Sequence, residues 1–195
     1  MASDPTHLTF ASVNCPSATR HKPEILNYID NLKPDILCLN ETRLAPQRPF
    51  SIPGYACIRQ DRNTRGGGVA ILINQLLSFS IVPIPPQFIP LEAIIIQIPQ
   101  KNNPPITTCA IYNPPNNPLP VAFFKYLFQN FNSLIILGDI NASSTDLGGS
   151  YTNHNGNELE TFIQNSNSVP FNCLDPTPYT IQEIQHSTTI SLTGQ

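Results

Sequence analysis

The sequence predicts an α/β fold in which β-sheets pack on each other and helices lie outside. Apolar runs recur along the whole chain of 195 residues, and several predicted strands follow one another without a helix between them. Amphipathic helical segments are inserted only at intervals, so the pattern is neither strict βαβ alternation nor all-β. Because no repeat and no linker is visible, we expect a single domain over residues 1–195.

The first half of the chain is predicted to supply one helix and four strands. Apolar residues recur at helical spacing after Pro23, and Pro34 ends that helix. Alternation predicts the first strand, and continuous apolar runs predict buried strands after the helix. A run of three glycines marks a turn before the fourth strand. The predicted helix covers residues 23–32, and the predicted strands cover residues 8–13, 36–39, 55–58 and 69–73.

The second half is predicted to add five strands and two helices. Many of the 21 prolines fall at segment ends, where they punctuate strands because they cannot donate to a ladder. Aromatic and aliphatic residues at helical spacing mark the two helices. The predicted strands cover residues 79–84, 91–98, 106–112, 134–137 and 188–193, and the predicted helices cover residues 120–131 and 157–164.

The overall charge gives little indication of a partner. The net charge is −3, the isoelectric point is near 5.7, and only 12% of residues are charged. All six arginines fall between Arg20 and Arg65, and five of them lie in residues 43–65. This stretch is either a local basic face or a solvated loop, and the sequence leaves both interpretations open.

No targeting or membrane segment is visible in the sequence. The N-terminus MASDPTHLTF lacks a basic start and an apolar core, and no apolar run is long enough to span a bilayer. The five cysteines show no CxxC pairing, and most lie in strand-like surroundings. We therefore expect reduced core thiols, an intracellular rather than secreted protein, and no membrane partner.

Four predicted strands end in polar residues. Taken singly, each residue has an ordinary explanation as a turn residue, a surface charge or a core tyrosine. Together they form a set rich in oxygen and poor in cysteine and histidine, which suits Mg²⁺ or Mn²⁺ rather than zinc. The residues are Asn14, Glu41, Tyr112, Asn113, Asp139 and Asn141.

Several motifs in order resemble the endonuclease/exonuclease/phosphatase superfamily, and most closely the apurinic-type endonuclease domain of non-LTR retrotransposons. The motifs are Asn14, "LNETRL" with Glu41, the glycine run "RGGGVAILI", "AIYNPPNN" with Tyr112, and "ILGDINA" with Asp139. The stretches "TNHNGNELETFI" and "LDPTPYT" match those that follow the Gly-Asp-x-Asn motif in such elements. The resemblance implies a four-layer α/β sandwich, with two mixed β-sheets packed face to face and helices outside.

The resemblance also implies an activity and a set of roles. It implies a Mg²⁺-dependent (or Mn²⁺-dependent) phosphodiesterase that nicks chromosomal DNA and leaves a 3′-hydroxyl as primer for reverse transcription. Glu41 would hold the metal with help from Asn14, and Asp139 would orient or deprotonate the attacking water. Asn141 and Tyr112 would hold the scissile phosphate. Asn113, Arg43 and Arg65 are assigned to substrate binding.

The sequence departs from the family pattern at its C-terminal end. The family ends in a Ser-Asp-His segment, and an upstream Asp orients that histidine, whereas this sequence stops at Gln195 and has Ser191 at the Asp position. We therefore expect a domain that is incomplete at its C-terminus and impaired in activity. The alternatives are a non-catalytic remnant that keeps the fold or binds nucleic acid, and a superfamily phosphatase or nuclease acting on another phosphoester.

The resemblance implies partners and a location as well. DNA is the expected substrate, and a reverse transcriptase is expected to be fused in the full-length element. We expect a monomer, and a nuclear or otherwise intracellular location because the substrate is chromosomal. No Lys/Arg-rich run supports that location independently.

Overall fold

A computed structural model of the chain describes residues 8–64, 66–166, 169–171, 179–184 and 189–192. The strands are β1 (Leu8–Asn14), β2 (Ile36–Asn40), β3 (Tyr55–Gln60), β4 (Val69–Asn74), β5 (Ser80–Val82), β6 (Glu92–Ile98), β7 (Ile106–Tyr112), β8 (Leu134–Asp139), β9 (Val169–Phe171), β10 (Tyr179–Ile184) and β11 (Thr189–Leu192). The helices are α1 (Lys22–Leu32), α2 (Val121–Asn130) and α3 (His154–Gln164), with short 3₁₀ turns at Pro86–Phe88 and Thr145–Leu147. None of these helices is both long and apolar enough to cross a lipid bilayer.

The strands form two mixed sheets. The first sheet has the order β10-β1-β2-β4-β3, and the second has the order β5-β6-β7-β8-β11-β9. The β1–β2 pair is parallel, as are the pairs that β8 makes with β7 and β11, while the other pairs of the first sheet are antiparallel. The predicted α/β class with two mixed sheets is confirmed.

Three apolar clusters separate four layers. One cluster joins the facing sides of the two sheets and includes Phe10, Ile71, Ile96 and Leu137. A second lies between the outer face of the first sheet and α1, and a third lies between the outer face of the second sheet and the helices α2 and α3. The helices therefore cover both outer faces, as the four-layer sandwich requires.

Continuous apolar runs form the strands that are buried on both faces. Every residue of β2 and β8 is buried, because one face meets the other sheet and the opposite face meets a helix. Full burial of each large aliphatic side chain contributes about 2 kcal/mol to the free energy of unfolding. This double burial explains why these strands show no polar alternation.

Several predicted boundaries differ from the structure, most of them by one or two residues, and two strands were not predicted. The strand expected at residues 79–84 is only Ser80–Val82, because prolines follow it closely. Helix α3 begins at His154 rather than at residue 157, since the Asn153 side chain accepts a hydrogen bond from the Gly156 amide and caps it. The last predicted strand is described over Thr189–Leu192, and β9 and β10 were not predicted.

The buried cysteines match the expectation of core thiols. Cys15, Cys38 and Cys109 are buried and free of disulfides. Burial raises the pKa of the Cys15 thiol to about 11, which keeps it protonated and unreactive. Cys57 is partly buried, and Cys173 lies outside the described residues.

Candidate active site at the shared edge of the two sheets

The candidate site caps the apolar layer between the two sheets. Side chains alternate along a strand, so the residue two positions beyond a core residue faces the same layer. Leu137 is followed in this way by Asp139, and Ala110 by Tyr112. Asp139 is aligned with Tyr112, which is aligned with Glu92 of β6, while in the other sheet Asn14 is aligned with Asn40. Polar side chains of both sheets therefore meet at one edge.

Asn14 joins the two predicted acidic residues. Its Nδ2 donates to Glu41 Oε1 at 3.5 Å and to Asp139 Oδ2 at 3.2 Å. The second contact spans 125 positions of sequence and connects the two sheets. The Asn14 Oδ1 atom is buried and has no hydrogen-bond partner within the part of the chain that the structure describes. A free acceptor thus lies beside two carboxylates, which is costly unless something binds there.

Three residues of the site have a left-handed backbone that non-glycine residues rarely adopt. The φ angles are +51° at Glu41, +49° at Arg43 and +51° at Asn141. Each such conformation costs about 1 kcal/mol or more and persists only where surrounding contacts enforce it. The Thr42 amide donates to the Gly68 carbonyl at 3.2 Å, and the Arg43 amide donates to the Gly67 carbonyl at 2.9 Å. The glycine run therefore holds the turn that carries Glu41.

Asp139 is a buried carboxylate with a perturbed titration. It is only 2% exposed, and its Oδ1 accepts the Asn141 amide at 3.0 Å. Burial raises the pKa of Asp139 to about 6, the Asn141 hydrogen bond opposes this rise, and the neighbouring Glu41 adds to it. At pH 7 the carboxylate is therefore mostly ionised, yet its proton affinity is high enough to take a proton from water.

Tyr112 presents a neutral hydroxyl to the same site. The residue is buried, and this burial raises its pKa to about 12. The charges of Glu41, Asp139 and Glu92 contribute to this rise in pKa, while Arg62 opposes it. The phenol therefore stays protonated across the physiological range and can donate a hydrogen bond to an anion.

The assigned substrate-binding residues have different environments. Asn113 is 2% exposed, and its amide donates to the carbonyls of Asn117, Pro118 and Ile140, so it fixes the surrounding loops. Arg43 is exposed and its guanidinium lies 3.0 Å from Glu41 Oε2. Arg65 lies outside the described residues.

Asn141 is held by residues that the sequence did not single out. Its own Nδ2 donates to the Asn113 carbonyl at 2.8 Å, which leaves one amide hydrogen for another acceptor. Its carbonyl accepts from Asn153 Nδ2 at 3.0 Å and from Asn155 Nδ2 at 3.5 Å. These asparagines belong to the motif "TNHNGNEL", whose close spacing before an amphipathic helix was the available signal.

The residue before Asp139 must be a glycine, because strand β7 leaves no room for a side chain at Gly138. A Cβ atom there would lie 1.9 Å from the Ile111 carbonyl oxygen, and the φ angle is +144°. Strand β7 thus approaches β8 too closely for any side chain. This close approach sets Asp139 beside Tyr112.

The donor set fits a hard divalent cation bound mainly by oxygen. Within the described residues, no group of three or more His, Cys, Asp and Glu side chains gathers as a metal site. The available ligands are the Glu41 carboxylate and the unpartnered Asn14 Oδ1, close to the Asp139 carboxylate. Mg²⁺ commonly keeps several waters and takes only one or two protein carboxylates, so this sparse set matches its preference.

The site residues predicted from the sequence are therefore brought together in part. Asn14, Glu41 and Asp139 meet directly, Asn141 follows at hydrogen-bond distance, and Tyr112 faces them. A further pair, Glu92 and Arg62, lies in contact beside Tyr112 and was not predicted. Glu92 stands two positions before Ile94 on the face between the sheets, which is the sequence signal that could have revealed it.

Comparisons with known proteins agree with this architecture. A family model described as endonuclease-reverse transcriptase matches residues 106–194. The endonuclease domain of TRAS1, a telomere-specific non-LTR retrotransposon, superposes with a TM-score of 0.64 at 17% identity, covering 82% of this chain and 72% of that one. No curated protein matches the chain in sequence.

Two other solved structures share the fold. An AP endonuclease from Archaeoglobus fulgidus has a TM-score of 0.57 at 19% identity and covers 81% of this chain and 70% of its own. The 3′ phosphatase NExo from Neisseria, bound to a product DNA hairpin, has a TM-score of 0.55 at 18% identity. The match covers 72% of this chain and 60% of the NExo chain. The resemblance predicted from the sequence is thereby confirmed: this chain shares the fold of these nuclease and phosphatase structures, and residues 106–194 match the family model described as endonuclease-reverse transcriptase.

Proposed function

We propose that the chain is a phosphodiesterase of the retrotransposon endonuclease type that depends on Mg²⁺ or Mn²⁺ and nicks DNA. The observation that carries this proposal is the contact of one amide, Asn14 Nδ2, with the carboxylates of Glu41 and Asp139. Separate strands of both sheets deliver these groups to one edge. A strained backbone and a buried free acceptor are features of a site built for a ligand rather than for stability.

Glu41 and Asn14 Oδ1 would hold the divalent cation. When bound, the cation would stabilise the negative charge that develops on the phosphate and on the leaving oxygen. The Arg43 guanidinium pairs with the Glu41 carboxylate, and the Arg43 side chain is exposed. Its remaining N–H groups can therefore also face a phosphate of the substrate. Arg65 would add a second positive charge from the same stretch.

Asp139 would act as the general base. Its pKa of about 6 lies near neutral pH, where a group is both ionised and able to accept a proton from the attacking water. The free amide hydrogen of Asn141 and the hydroxyl of Tyr112 would donate to the phosphate oxygens. Asn113 would act through Asn141, because its carbonyl fixes the Asn141 side chain.

DNA is the proposed substrate. We propose that the nick leaves a 3′-hydroxyl primer, that a reverse transcriptase is fused in the full-length element, and that the setting is nuclear or otherwise intracellular. The family description, endonuclease-reverse transcriptase, supports the proposed fusion. Three arginines of residues 43–65 already have internal partners: Arg43 pairs with Glu41 at 3.0 Å, Arg59 pairs with Asp61 at 3.2 Å, and Arg62 pairs with Glu92. We therefore expect a monomer whose DNA binding depends only modestly on salt, because few arginines remain to displace counterions.

The 195 residues contain no Ser-Asp-His segment. Loss of a charge-stabilising or acid–base group typically lowers the rate by a factor of about 10² to 10⁴. We therefore propose that the 195-residue chain turns over slowly.

A plasmid-nicking assay tests the function. Supercoiled DNA is incubated with the chain and Mg²⁺ or Mn²⁺, and the nicked product is offered to a DNA polymerase to detect a 3′-hydroxyl. We expect slow nicking that EDTA abolishes. Asp139→Asn or Glu41→Gln should lower the nicking rate about 10²-fold or more. The matched control is Glu158→Gln, because Glu158 is a half-buried residue of α3 whose carboxylate lies beside His154 and not at the site.

Other outcomes of this assay separate the alternatives. DNA binding without cleavage under every metal condition would support the non-catalytic remnant. Release of phosphate from a 3′-phosphorylated end, with no internal nicking, would support a superfamily phosphatase. Nicking that survives both substitutions would contradict the proposed site.

A further inference from the structure

We infer that Glu92 is a positioning residue for Glu41, acting through the glycine run. This inference rests on the proposed function, since it concerns the geometry of the residue that would hold the metal. Glu92 begins β6 in the second sheet, whereas Glu41 follows β2 in the first. The contacts between them form an unbroken chain of hydrogen bonds.

The Glu92 carboxylate lies between a cation and a backbone amide. The residue is 8% exposed, and Oε2 accepts the Gly68 amide. Oε1 accepts from the Arg62 guanidinium, which also neutralises its charge. A buried carboxylate is costly unless it is paired and hydrogen-bonded, and Glu92 meets both conditions. The pair therefore fixes where the glycine run sits.

The glycine run in turn holds the Glu41 turn. The carbonyls of Gly67 and Gly68 accept the amides of Arg43 and Thr42, the two residues that follow Glu41. These bonds enforce the left-handed backbone at Glu41, which would otherwise relax to a commoner conformation. A displacement of Gly68 would therefore move the Glu41 carboxylate.

The groups that connect Glu92 with the Glu41 turn are tightly packed. A Cβ atom on Gly67 would lie 2.7 Å from Glu92 Oε2 and 2.5 Å from Arg62 Nε. A Cβ atom on Gly68 would lie 2.5 Å from Thr42 Oγ1. The glycines are thus packed between Glu92 on one side and the Glu41 turn on the other, so a shift of one is transmitted to the other.

Gln60 anchors the backbone around Glu92 to the first sheet. Its Nε2 donates to the Leu91 carbonyl, and its Oε1 accepts the Ala93 amide, both at 3.0 Å. Glu92 is therefore held on both sides by β3 while its side chain reaches the glycine run. Gln60 thus anchors the backbone on both sides of Glu92, and Glu92 places its carboxylate against the Gly68 amide.

Two measurements test the inference on the full 195-residue chain. Hydrogen exchange at the Thr42 and Arg43 amides reports the turn without any metal. Mn²⁺ binding, followed by electron paramagnetic resonance, reports the site without any catalysis. We expect Glu92→Gln and Glu92→Ala to speed exchange at these two amides at least about tenfold and to weaken Mn²⁺ binding about 10- to 100-fold, as loss of outer-shell partners usually does.

Matched variants separate positioning from general destabilisation. Amides of the core strands, such as those of Ile71 and Ile95, should keep their protection in Glu92→Gln. Glu158→Gln should change neither measurement. Gly67→Ala, which pushes against both Glu92 and Arg62, should reproduce the exchange and Mn²⁺ effects by a second route, and it serves if Glu92→Ala fails to fold.

The outcomes distinguish this inference from the proposed function. Unchanged exchange at Thr42 and Arg43 in Glu92→Gln and Gly67→Ala would overturn the inference, even in a chain that binds Mn²⁺ and nicks DNA. Faster exchange with unchanged Mn²⁺ affinity would overturn it too, because Glu41 would then not depend on the turn. A parent chain that binds no Mn²⁺ would refute the proposed metal site, and the exchange data would still decide whether Glu92 fixes the turn.

Discussion

The layer between the sheets and the edge that caps it follow opposite physical rules. In the layer, Ile71 and Ile96 are fully buried in regular strands with every backbone group paired along the ladder. At the edge, where neighbouring strands of both sheets end, there are left-handed non-glycine residues, a carboxylate at 2% exposure and a buried amide oxygen without a partner among the described residues. The layer stabilises the fold, and the edge lowers its stability.

This contrast teaches where each kind of substitution should act. Changes in the layer should lower the free energy of unfolding and affect the site only through loss of folded protein. Changes at the edge should alter binding or catalysis while stability changes little or even rises. The following predictions test this separation, beginning with the residue that belongs to both regions.

Gly138→Ala should have the largest effect. The new methyl group would lie 1.9 Å from the Ile111 carbonyl oxygen in a backbone at φ +144°, so β7 and β8 would have to separate. We expect a loss of about 4 kcal/mol or more in urea unfolding, or no folded protein. The control is Gly54→Ala, at φ +78° with nothing within 4 Å of the new Cβ, which should cost only about 1 kcal/mol. Equal costs for the two would contradict the close approach.

Ile96→Ala should have the next largest effect, and only on stability. The side chain is fully buried between the sheets, so truncation removes apolar burial and leaves a cavity. We expect a loss of about 3 to 4 kcal/mol by urea unfolding. The Mn²⁺ affinity of the folded fraction should stay the same, and a large change in it would show that the layer and the edge are not separable.

Asp139→Asn should remove a pH dependence of stability that the parent shows in metal-free buffer. The folded pKa of about 6 lies above the ordinary value of 3.8, so the folded chain binds more protons between these values. The free energy of unfolding of the parent should therefore fall as pH rises through this window, by about 3 kcal/mol in total at pH 7.5. Asp139→Asn should lack this loss.

The matched control for that series is Asp146→Asn, which removes an exposed carboxylate from the 3₁₀ turn at Thr145–Leu147. Urea unfolding at pH 4 and at pH 7.5 gives the comparison for the three proteins. Parallel pH curves for the parent and Asp139→Asn would show that burial does not perturb Asp139.

Leu76→Gln should have the smallest effect. The side chain is 82% exposed in the turn between β4 and β5, so it contributes to neither region. We expect a change within about 0.5 kcal/mol by thermal unfolding and no change in Mn²⁺ binding. A loss of more than about 1 kcal/mol would indicate that this turn packs against something in solution.

The fold could be predicted largely from local patterns. Buried strands such as β2 and β8 read as unbroken apolar runs, and α1 and α2 read as amphipathic segments, so their positions follow from the sequence alone. The strands β9 and β10 were not predicted because they are short or lie among prolines and polar residues. Their pairing with distant strands decides their conformation. The N-terminus of α3 escaped because its cap depends on a single side-chain contact.

The site could be predicted only as far as strand ends reveal it. Asn14, Glu41 and Asp139 stand directly at or after apolar runs, and their order matches a known family. The position of Glu92 on the face between the sheets can be read from its spacing to Ile94, but its contacts with Arg62, 30 positions away, and with Gly68 appear only in three dimensions. Asn113 shows what the sequence leaves out, since the side-chain amide of a polar residue after a strand also fixes the surrounding loops.

The contact between Asn14 and Asp139 has a consequence for synthesis on the ribosome. The two residues are 125 positions apart, and translation adds roughly 5 to 20 residues per second. The N-terminal strand therefore waits roughly 6 to 25 seconds before its partner leaves the exit tunnel. During that interval β8, whose Asp139 contacts Asn14, has not yet been synthesised, so a nascent chain of this kind should engage chaperones early. The proposed site can therefore assemble only after residue 139 has left the ribosome.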